Sequence, residues 1–298
     1  MNTASSATRS SALVGVAWAL LAVLGWGLMF PVGRVLMASR ALSPESVAAA
    51  RYLLGAPLLF ALSFLRAGRR TFPPRLRDWP LLAFWGLVGS ALMAWLLFCA
   101  QRTVPVVNAS LLEAWVPLLV MLIGLPLGDS FSARRLAAIA IGFLGVLLVL
   151  RLLGPGGFRL HALEQGDLLI LLSGLCWSLY TVFGGPLVRR LGALPFTAWT
   201  VLFGGLWILA ASLFFRRPLS LPPDAASWFF VGVLALCPTA LSFFAWNEAQ
   251  RHLPLARLAF LEYFTPVVAA LIGLLWPGEP VAPAQWLGML LILLSSFF

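Results

Sequence analysis

Ten apolar stretches of about 20 residues each divide this chain, and they constrain its fold more than any other feature. A helix rises about 1.5 Å per residue, so about 20 apolar residues cross the roughly 30 Å of hydrocarbon in a bilayer. Clusters of Arg, Pro and Gly separate the stretches. Their approximate bounds are 13–36, 44–65, 79–102, 106–128, 135–153, 167–188, 195–215, 226–249, 255–276 and 283–298. We therefore predict an all-α integral membrane protein with ten transmembrane helices.

The composition excludes an ordinary soluble domain. Hydrophobic residues make up 61% of the 298 residues and charged residues 10%, whereas a soluble protein has about 25% charged residues. The net charge is +10, and all 20 Lys and Arg residues are Arg. Nearly all of them stand between apolar stretches, where they meet anionic lipid head groups. The expected partner of this positive charge is the lipid bilayer and not a nucleic acid.

The distribution of the arginines predicts the orientation. With a cytoplasmic N-terminus, twelve arginines fall in inside segments and seven in outside segments, and Arg51 falls within an apolar stretch. The segment 66–78 supplies most of the difference. Because cytoplasmic loops carry an excess of positive charge, we predict that both termini are cytoplasmic.

The second half of the chain repeats the first. With an offset of 149, residues 79–124 align with 228–273 without a gap. The identical positions include Trp79 and Trp228, Ala100-Gln101-Arg102 and Ala249-Gln250-Arg251, Pro105 and Pro254, Leu112-Glu113 and Leu261-Glu262, and Pro117 and Pro266. A weaker echo at offset 151 pairs Trp26 with Trp177. We predict two five-helix repeats, at 13–153 and 167–298.

The odd number of helices in each copy makes the predicted repeats inverted, because the second copy then enters the membrane from the opposite side. Inverted halves related by a two-fold axis in the membrane plane form one site that opens alternately to either side, as in secondary transporters. This predicts a transporter. A duplicated receptor or scaffold with the same symmetry is the alternative.

Two repeated glutamates are the first candidate functional residues. Glu113 and Glu262 lie about seven residues inside their apolar stretches, and a carboxylate at that depth faces the bundle interior or a wet cavity. We interpret them as a gating or coupling pair, with a direct contact to a substrate amine as a further possibility. In the structural alternative they pair with Arg102 and Arg251. On a continuous helix each glutamate shares one stripe with three small or apolar residues, which are Pro117, Val120 and Gly124, and Pro266, Ala269 and Gly273.

Arg51 and its neighbour Tyr52 form the second candidate site. The repeat places Leu202 opposite Arg51, and this asymmetry favours a special task. The guanidinium could hold a substrate carboxylate through two parallel hydrogen bonds, or it could neutralise Glu45 or Glu113. Asn247 could line a pore or belong to a cluster at a helix end.

Aromatic residues in the middle of the apolar stretches are candidates for the wall of a substrate cavity, because they suit an amphipathic solute. They are Trp26, Trp95, Trp115, Trp177, Tyr180 and Trp246. Any single one of them is more often packing than a ligand contact.

Motifs of soluble enzyme classes are missing from the sequence. It contains no G-x-S-x-G, H-E-x-x-H, G-x-G-x-x-G or P-loop pattern. The three cysteines show no C-x-x-C spacing, so we expect no disulfide, no metal and no cofactor. A membrane-embedded enzyme or lipid-handling scaffold is the non-transport alternative, and it would require paired catalytic groups.

The pattern resembles the EamA-type branch of the drug/metabolite transporter superfamily. The resemblance rests on Trp26-Gly27, on Ala50-Arg51-Tyr52 and on the repeated Leu-Glu-x-x-x-Pro segment. It implies a bacterial inner-membrane exporter whose central cavity is lined by the first four helices of each half. Within this branch the pattern is most similar to exporters of amino acids, including aromatic ones. Efflux of cationic drugs is the second hypothesis, and a monomer is the simplest assembly.

Overall fold

The computed structural model describes residues 3–67, 75–113, 115–124, 133–149, 153–154, 157–158, 164–276 and 283–295. Within these residues the chain is helical apart from short turns and one antiparallel pair of two-residue strands, β1 (Leu153–Gly154) and β2 (Gly157–Phe158). The predicted all-helical class is therefore confirmed, and this small hairpin was not predicted from the sequence.

Helices occur in each of the ten predicted segments. In chain order they are α1 (Thr3–Ala38), α2 (Pro44–Ala67), α3 (Trp79–Gly86), α4 (Met93–Ala100), α5 (Val106–Glu113), α6 (Val116–Gly124), α7 (Ala133–Val149), α8 (Gln165–Leu191), α9 (Ala193–Phe214), α10 (Ala225–Leu234), α11 (Ser242–His252), α12 (Leu255–Glu262), α13 (Phe264–Leu275) and α14 (Pro283–Ser295). Helix α1 begins about ten residues before the predicted start, because the Ser, Thr and Ala residues that precede the apolar stretch are also helical.

Six helical stretches of the described residues are long and apolar enough to cross a bilayer. They are Ser11–Ala38, Pro44–Arg66, Leu76–Ala100, Gln165–Leu191, Ala193–Phe214 and Ala225–His252. Shorter apolar helices occupy Asn108–Gly124 and Trp286–Ser295. The chain is thus a multi-pass membrane protein, and the count of ten crossings stays a prediction.

Polar side chains and turn residues define where several helices begin. The Ser43 hydroxyl accepts the backbone N–H of Ser46 in the first turn of α2, and Glu164 forms a capping box with Asp167 at the start of α8. Gly192 has a φ of 90° between α8 and α9, a conformation that favours glycine. These residues fix the points at which the chain reverses.

Departures from regular α-helix occur at matching positions of the 149-residue repeat. The third and eighth segments each contain a π-helical turn, at Leu87–Leu92 and Ala235–Leu241. Helices α5 and α12 end at Glu113 and Glu262, the two repeated glutamates. A turn at Trp115 and a second turn at Tyr263 interrupt the predicted helices after the glutamates. Pro117, Val120 and Gly124 are nevertheless buried, and Glu262 and Pro266 line one cavity, which is consistent with the predicted stripe.

Helices of one half pack against helices of the other half. Helix α1 packs on α11 and α13, while α8, its counterpart in the second copy, packs on α4 and α6. Helices α2 and α9, which are counterparts, pack on each other, and α7 packs on α14. The buried core thus lies between the two halves, and the aromatic side chains of α1, α8 and α11 occupy its middle.

Candidate functional site

A small cavity in the middle of the bundle is the candidate site. Its volume is about 40 Å³, which is room for only a few water molecules. Both halves contribute to its wall, which is formed by Trp26, Met29, Phe30, Met93, Glu113, Trp177, Phe243, Glu262, Thr265 and Pro266. This space is smaller than a typical ligand pocket of about 300–1,000 Å³.

The two repeated glutamates meet at this cavity. Glu262 is buried, and its Oε1 accepts a hydrogen bond of 2.6 Å from Trp177 Nε1. Its Oε2 has no hydrogen-bond partner among the residues that the structure describes. Glu113 faces the cavity from the other half, close enough for its carboxylate to repel that of Glu262. Two carboxylates without a cation in so small a space are costly to ionise together.

Aromatic rings surround this carboxylate pair. Trp26 and Trp177, which the repeat predicts to be counterparts, contact each other with their ring centroids 4.9 Å apart. Trp246 packs against Trp26 at 5.2 Å, and Tyr180 stacks on Trp177 at 5.2 Å. Edge-to-face and offset contacts of this kind are favourable. The structure therefore brings together four of the six aromatic residues predicted for a cavity wall.

Arg51 lies one side chain away from the cavity and is fully buried. Its Nε donates to the Thr239 hydroxyl at 2.8 Å, and its Nη1 lies 3.0 Å from the sulfur of Met29, a residue of the cavity wall. Within the described part of the chain, its Nη2 has no hydrogen-bond partner. Among the described residues, no carboxylate forms an ion pair with Arg51.

The aromatic neighbours of Arg51 reduce the free-energy cost of burying its charge. Its guanidinium lies 4.8 Å from the centre of the Tyr52 ring and 5.6 Å from that of Phe98, distances at which a cation is attracted to the ring face. Tyr52 in turn donates to the carbonyl of Ser90 in the first π-helical turn. The alternative prediction, that Arg51 neutralises Glu45 or Glu113, is wrong, because Arg51 forms an ion pair with neither of them.

Asn247 belongs to a buried polar network next to the aromatic cluster. Its side-chain amide donates to the hydroxyls of Tyr180 at 3.1 Å and Thr197 at 2.8 Å. Gln250 donates to the Asn247 carbonyl oxygen at 3.4 Å. The network joins α8, α9 and α11, so Asn247 holds helices together and positions Tyr180 rather than lining the cavity directly.

Four predicted site residues lie elsewhere. Trp95 donates to Glu45 at one end of the bundle, and Trp115 packs against Gly174. Arg251 pairs with Glu248 at 3.0 Å, and Arg102 is exposed. The predicted alternative that pairs these arginines with Glu262 and Glu113 is therefore wrong for Arg251, because a carboxylate one helical turn away on the same helix reaches it first.

Several residues of the site carried no signal in the sequence. Phe243 contacts the rings of Trp26, Tyr52, Trp177 and Tyr180, yet nothing distinguishes it from the other phenylalanines. Met29 and Thr239 connect Arg51 to the cavity and to the second π-helical turn. Ser90 aligns with Thr239 in the repeat, and this pairing could have drawn attention to both.

Metal ligands are not clustered in the part of the chain that the structure describes. No group of three His, Cys, Asp or Glu side chains stands close enough to hold an ion there. Among the described residues, the cavity and its neighbourhood offer the guanidinium of Arg51, the carboxylates of Glu113 and Glu262, the Thr265 hydroxyl and aromatic faces.

Comparison with known sequences identifies relatives over most of the chain. The sequence model of the EamA-like transporter family matches residues 13–151 and 164–298. The uncharacterized inner membrane transporter YedA of Escherichia coli strain K12 is 28% identical over 281 residues, which cover 93% of this chain and 87% of that protein. A probable terminal-alkyne amino-acid exporter of Streptantibioticus cattleyicolor is 27% identical over 273 residues, or 91% of this chain and 88% of that protein.

A solved crystal structure shares the fold. It superimposes with a TM-score of 0.72 at 21% sequence identity, and the match covers 97% of this chain and 95% of the other. At this level of identity the likeness concerns the arrangement of helices alone.

Proposed function

We propose that this chain, which belongs to the EamA-like transporter family, exports zwitterionic metabolites, above all amino acids with aromatic or other apolar side chains. Membership makes the chain a membrane transporter, and a relative named as a probable amino-acid exporter is consistent with the substrate class. The inner membrane as its location and cytoplasmic termini are part of the same proposal.

One observation carries the substrate class. Among the described residues, nothing forms a hydrogen bond with the cationic nitrogen Arg51 Nη2 or with the carboxylate oxygen Glu262 Oε2, and the aromatic cluster lies beside both. Burial of an unpaired charge costs several kcal/mol. A ligand that carries a negative and a positive group therefore stabilises both Arg51 and Glu262. A zwitterion does so: its carboxylate binds Arg51, its ammonium binds Glu262 and Glu113, and its side chain packs among the tryptophans.

Alternating access follows from the predicted inverted repeats. Trp26 with Trp177 and Glu113 with Glu262 are counterparts in the repeat, and each pair meets in the core. This supports a two-fold axis that passes through the cavity. A site on such an axis can open to either side of the membrane by equivalent motions of the two halves. The cavity of about 40 Å³ must widen to hold an amino acid, and the contact between Trp26 and Trp177 in its wall is one that this widening can loosen.

The carboxylate pair also supports coupling to protons. Repulsion between Glu113 and Glu262 makes the doubly ionised state unfavourable in the empty carrier. A bound ammonium group relieves this repulsion, as does a proton, so the substrate and the proton compete for the same two carboxylates. Competition of this kind couples the export of the substrate to the import of protons.

Proteoliposome flux of three matched compounds tests the proposal. We expect phenylalanine to move faster than through empty vesicles, while phenethylamine, which lacks the carboxylate, and N-acetylphenylalanine, which lacks the ammonium, do not. An imposed pH gradient should change phenylalanine flux, and Glu262→Gln should remove that response because it keeps the acceptor for Trp177 and loses the charge.

The alternative function is efflux of cationic aromatic drugs, which the carboxylate pair among aromatic rings favours. It predicts that phenethylamine moves and that phenylalanine does not. That outcome would replace the zwitterion proposal. Equal flux of all three compounds would show that neither Arg51 nor the two glutamates select the substrate.

A further inference from the structure

A second, larger concavity opens on the outside of the bundle. It is a groove of about 410 Å³ between the first π-helical turn, α4 and α9. Its apolar wall includes Leu87, Ala91, Leu92, Trp207, Ile208 and Ala211. None of these residues lines the central cavity. We call it the lateral groove.

The wall of the lateral groove faces the lipid phase. Leu87, Leu92 and Trp207 are exposed by 37%, 39% and 41%, and they lie within helical stretches long enough to cross the bilayer. Exposed large apolar side chains at that depth contact hydrocarbon and not water. The natural occupant of the apolar part is therefore an acyl chain.

One end of the lateral groove is charged. Glu45 Oε1 accepts a hydrogen bond of 3.0 Å from Trp95 Nε1 and lies 3.6 Å from Arg217 Nη1. The Glu45 side chain is mostly buried, with 18% exposed, while that of Arg217 is 71% exposed. Glu45 stands in the first turn of α2, and Arg217 follows the end of α9. Both charges thus stand at the membrane boundary, where lipid head groups lie.

We propose that the lateral groove binds a phospholipid with a primary amine in its head group, of the phosphatidylethanolamine type. One acyl chain lies along Leu87, Trp207 and Ala211, the phosphate binds Arg217, and the ammonium binds Glu45. The charge pattern favours this head group over two others. Phosphatidylglycerol has no cation for Glu45, and the quaternary ammonium of phosphatidylcholine has no N–H to donate to a carboxylate.

Two neighbouring alanines of α9 provide the matched variants for a test. Ala211 lines the lateral groove, and Ala210 faces outward on the same helix away from it. Because both side chains are exposed, a tryptophan at either position leaves the core intact. The assay is photo-crosslinking of the purified protein with a phosphatidylethanolamine that carries a diazirine in its acyl chain, followed by mapping of the modified peptides.

We expect crosslinks on the π-helical turn and α9 in the wild type, a loss of about tenfold in Ala211→Trp, and no change in Ala210→Trp. Competition with unlabelled lipids should rank phosphatidylethanolamine ahead of phosphatidylcholine and phosphatidylglycerol. Glu45→Gln should lower the affinity for phosphatidylethanolamine about tenfold, the effect of one charge-assisted hydrogen bond, and leave that for phosphatidylglycerol unchanged.

Three outcomes would overturn the proposal. Equal crosslinking in the two tryptophan variants would show that the lateral groove does not bind the acyl chain of the lipid. Equal competition by all three lipids would remove the head-group assignment. If Ala211→Trp blocked phenylalanine flux while lipid crosslinking persisted, the groove would be a path for the transported solute and not a lipid site.

Discussion

Arg51 is the residue whose environment most needs a partner from outside the chain. It is fully buried and hydrogen-bonded to Thr239 and Met29, and one of its nitrogens has no acceptor in the part of the chain that the structure describes. A charged group inside a membrane costs about 3 kcal/mol on insertion scales. Stability alone does not explain such a residue, since a methionine would fill the same space without a charge.

This gives a prediction for Arg51→Met. We expect the variant to fold, with a thermal midpoint in detergent equal to or higher than that of the wild type, because an uncompensated buried charge is removed. Its phenylalanine flux in proteoliposomes should be lost.

Arg66→Met is the control for that variant, because Arg66 is exposed and lies against Phe244 at the end of α2. It should change neither the thermal midpoint nor the flux. A large drop in the stability of Arg51→Met would instead assign Arg51 a structural role.

At the scale of elements, the π-helical turns bring the helices of the two halves into close contact. Gly89 lies in the first of these turns, directly under the Tyr180 ring of α8, so that a Cβ at this position would clash with the ring carbons. The turn also supplies the carbonyl of Ser90 to Tyr52. One irregular turn thereby positions aromatic residues from two helices.

Gly89→Ala should therefore be destabilising. Its methyl group displaces Tyr180 and with it the bond from Asn247, and overpacking of this kind costs about 1–3 kcal/mol. The thermal midpoint measures the loss, and flux should fall with it.

Gly232→Ala is the matched control for Gly89→Ala. Nothing lies within 4 Å of the Cβ that it would add, and the repeat already has Ala83 at the equivalent position. Equal midpoints for the two variants would mean that Tyr180 moves freely and does not depend on the turn.

The repeated glutamates and most of the aromatic cluster could be predicted from the sequence, because polar identities within apolar stretches are rare. Trp95 could not be separated from Trp26, since both stand in mid-stretch and only the rotation of each helix decides which enters the core. The π-helical turns and the partnership of Glu262 with Trp177 depend on contacts between the halves. No local pattern encodes such contacts.

At the scale of the whole molecule, each half is incomplete without the other. Helix α1 is enclosed by α11 and α13, and α8 by α4 and α6. In the predicted inverted topology, the loop that follows α2 is cytoplasmic and the loop that follows α9 is external. Chemical labelling of these two loops can check the prediction. Leu76 and Leu221 are exposed by 85% and 78%, and they fall in loops predicted to be cytoplasmic and external.

Cysteine labelling tests the predicted orientation. In a background in which Cys99, Cys176 and Cys237 are replaced by alanine, Leu221→Cys should react with a membrane-impermeant maleimide in whole cells. Leu76→Cys should react only in inverted vesicles. The reverse pattern would put the N-terminus outside, and labelling of both in whole cells would contradict the odd number of crossings, five, that is predicted between them.

The small volume of the central cavity bears on the energy of each transport cycle. The cavity has room for only a few water molecules, so an amino acid must widen it before it can bind there. Part of the work of widening is done against the edge-to-face contact of Trp26 with Trp177, which is worth about 1 kcal/mol beyond its buried area. The strength of that contact therefore contributes to the free-energy difference between the empty and the loaded carrier.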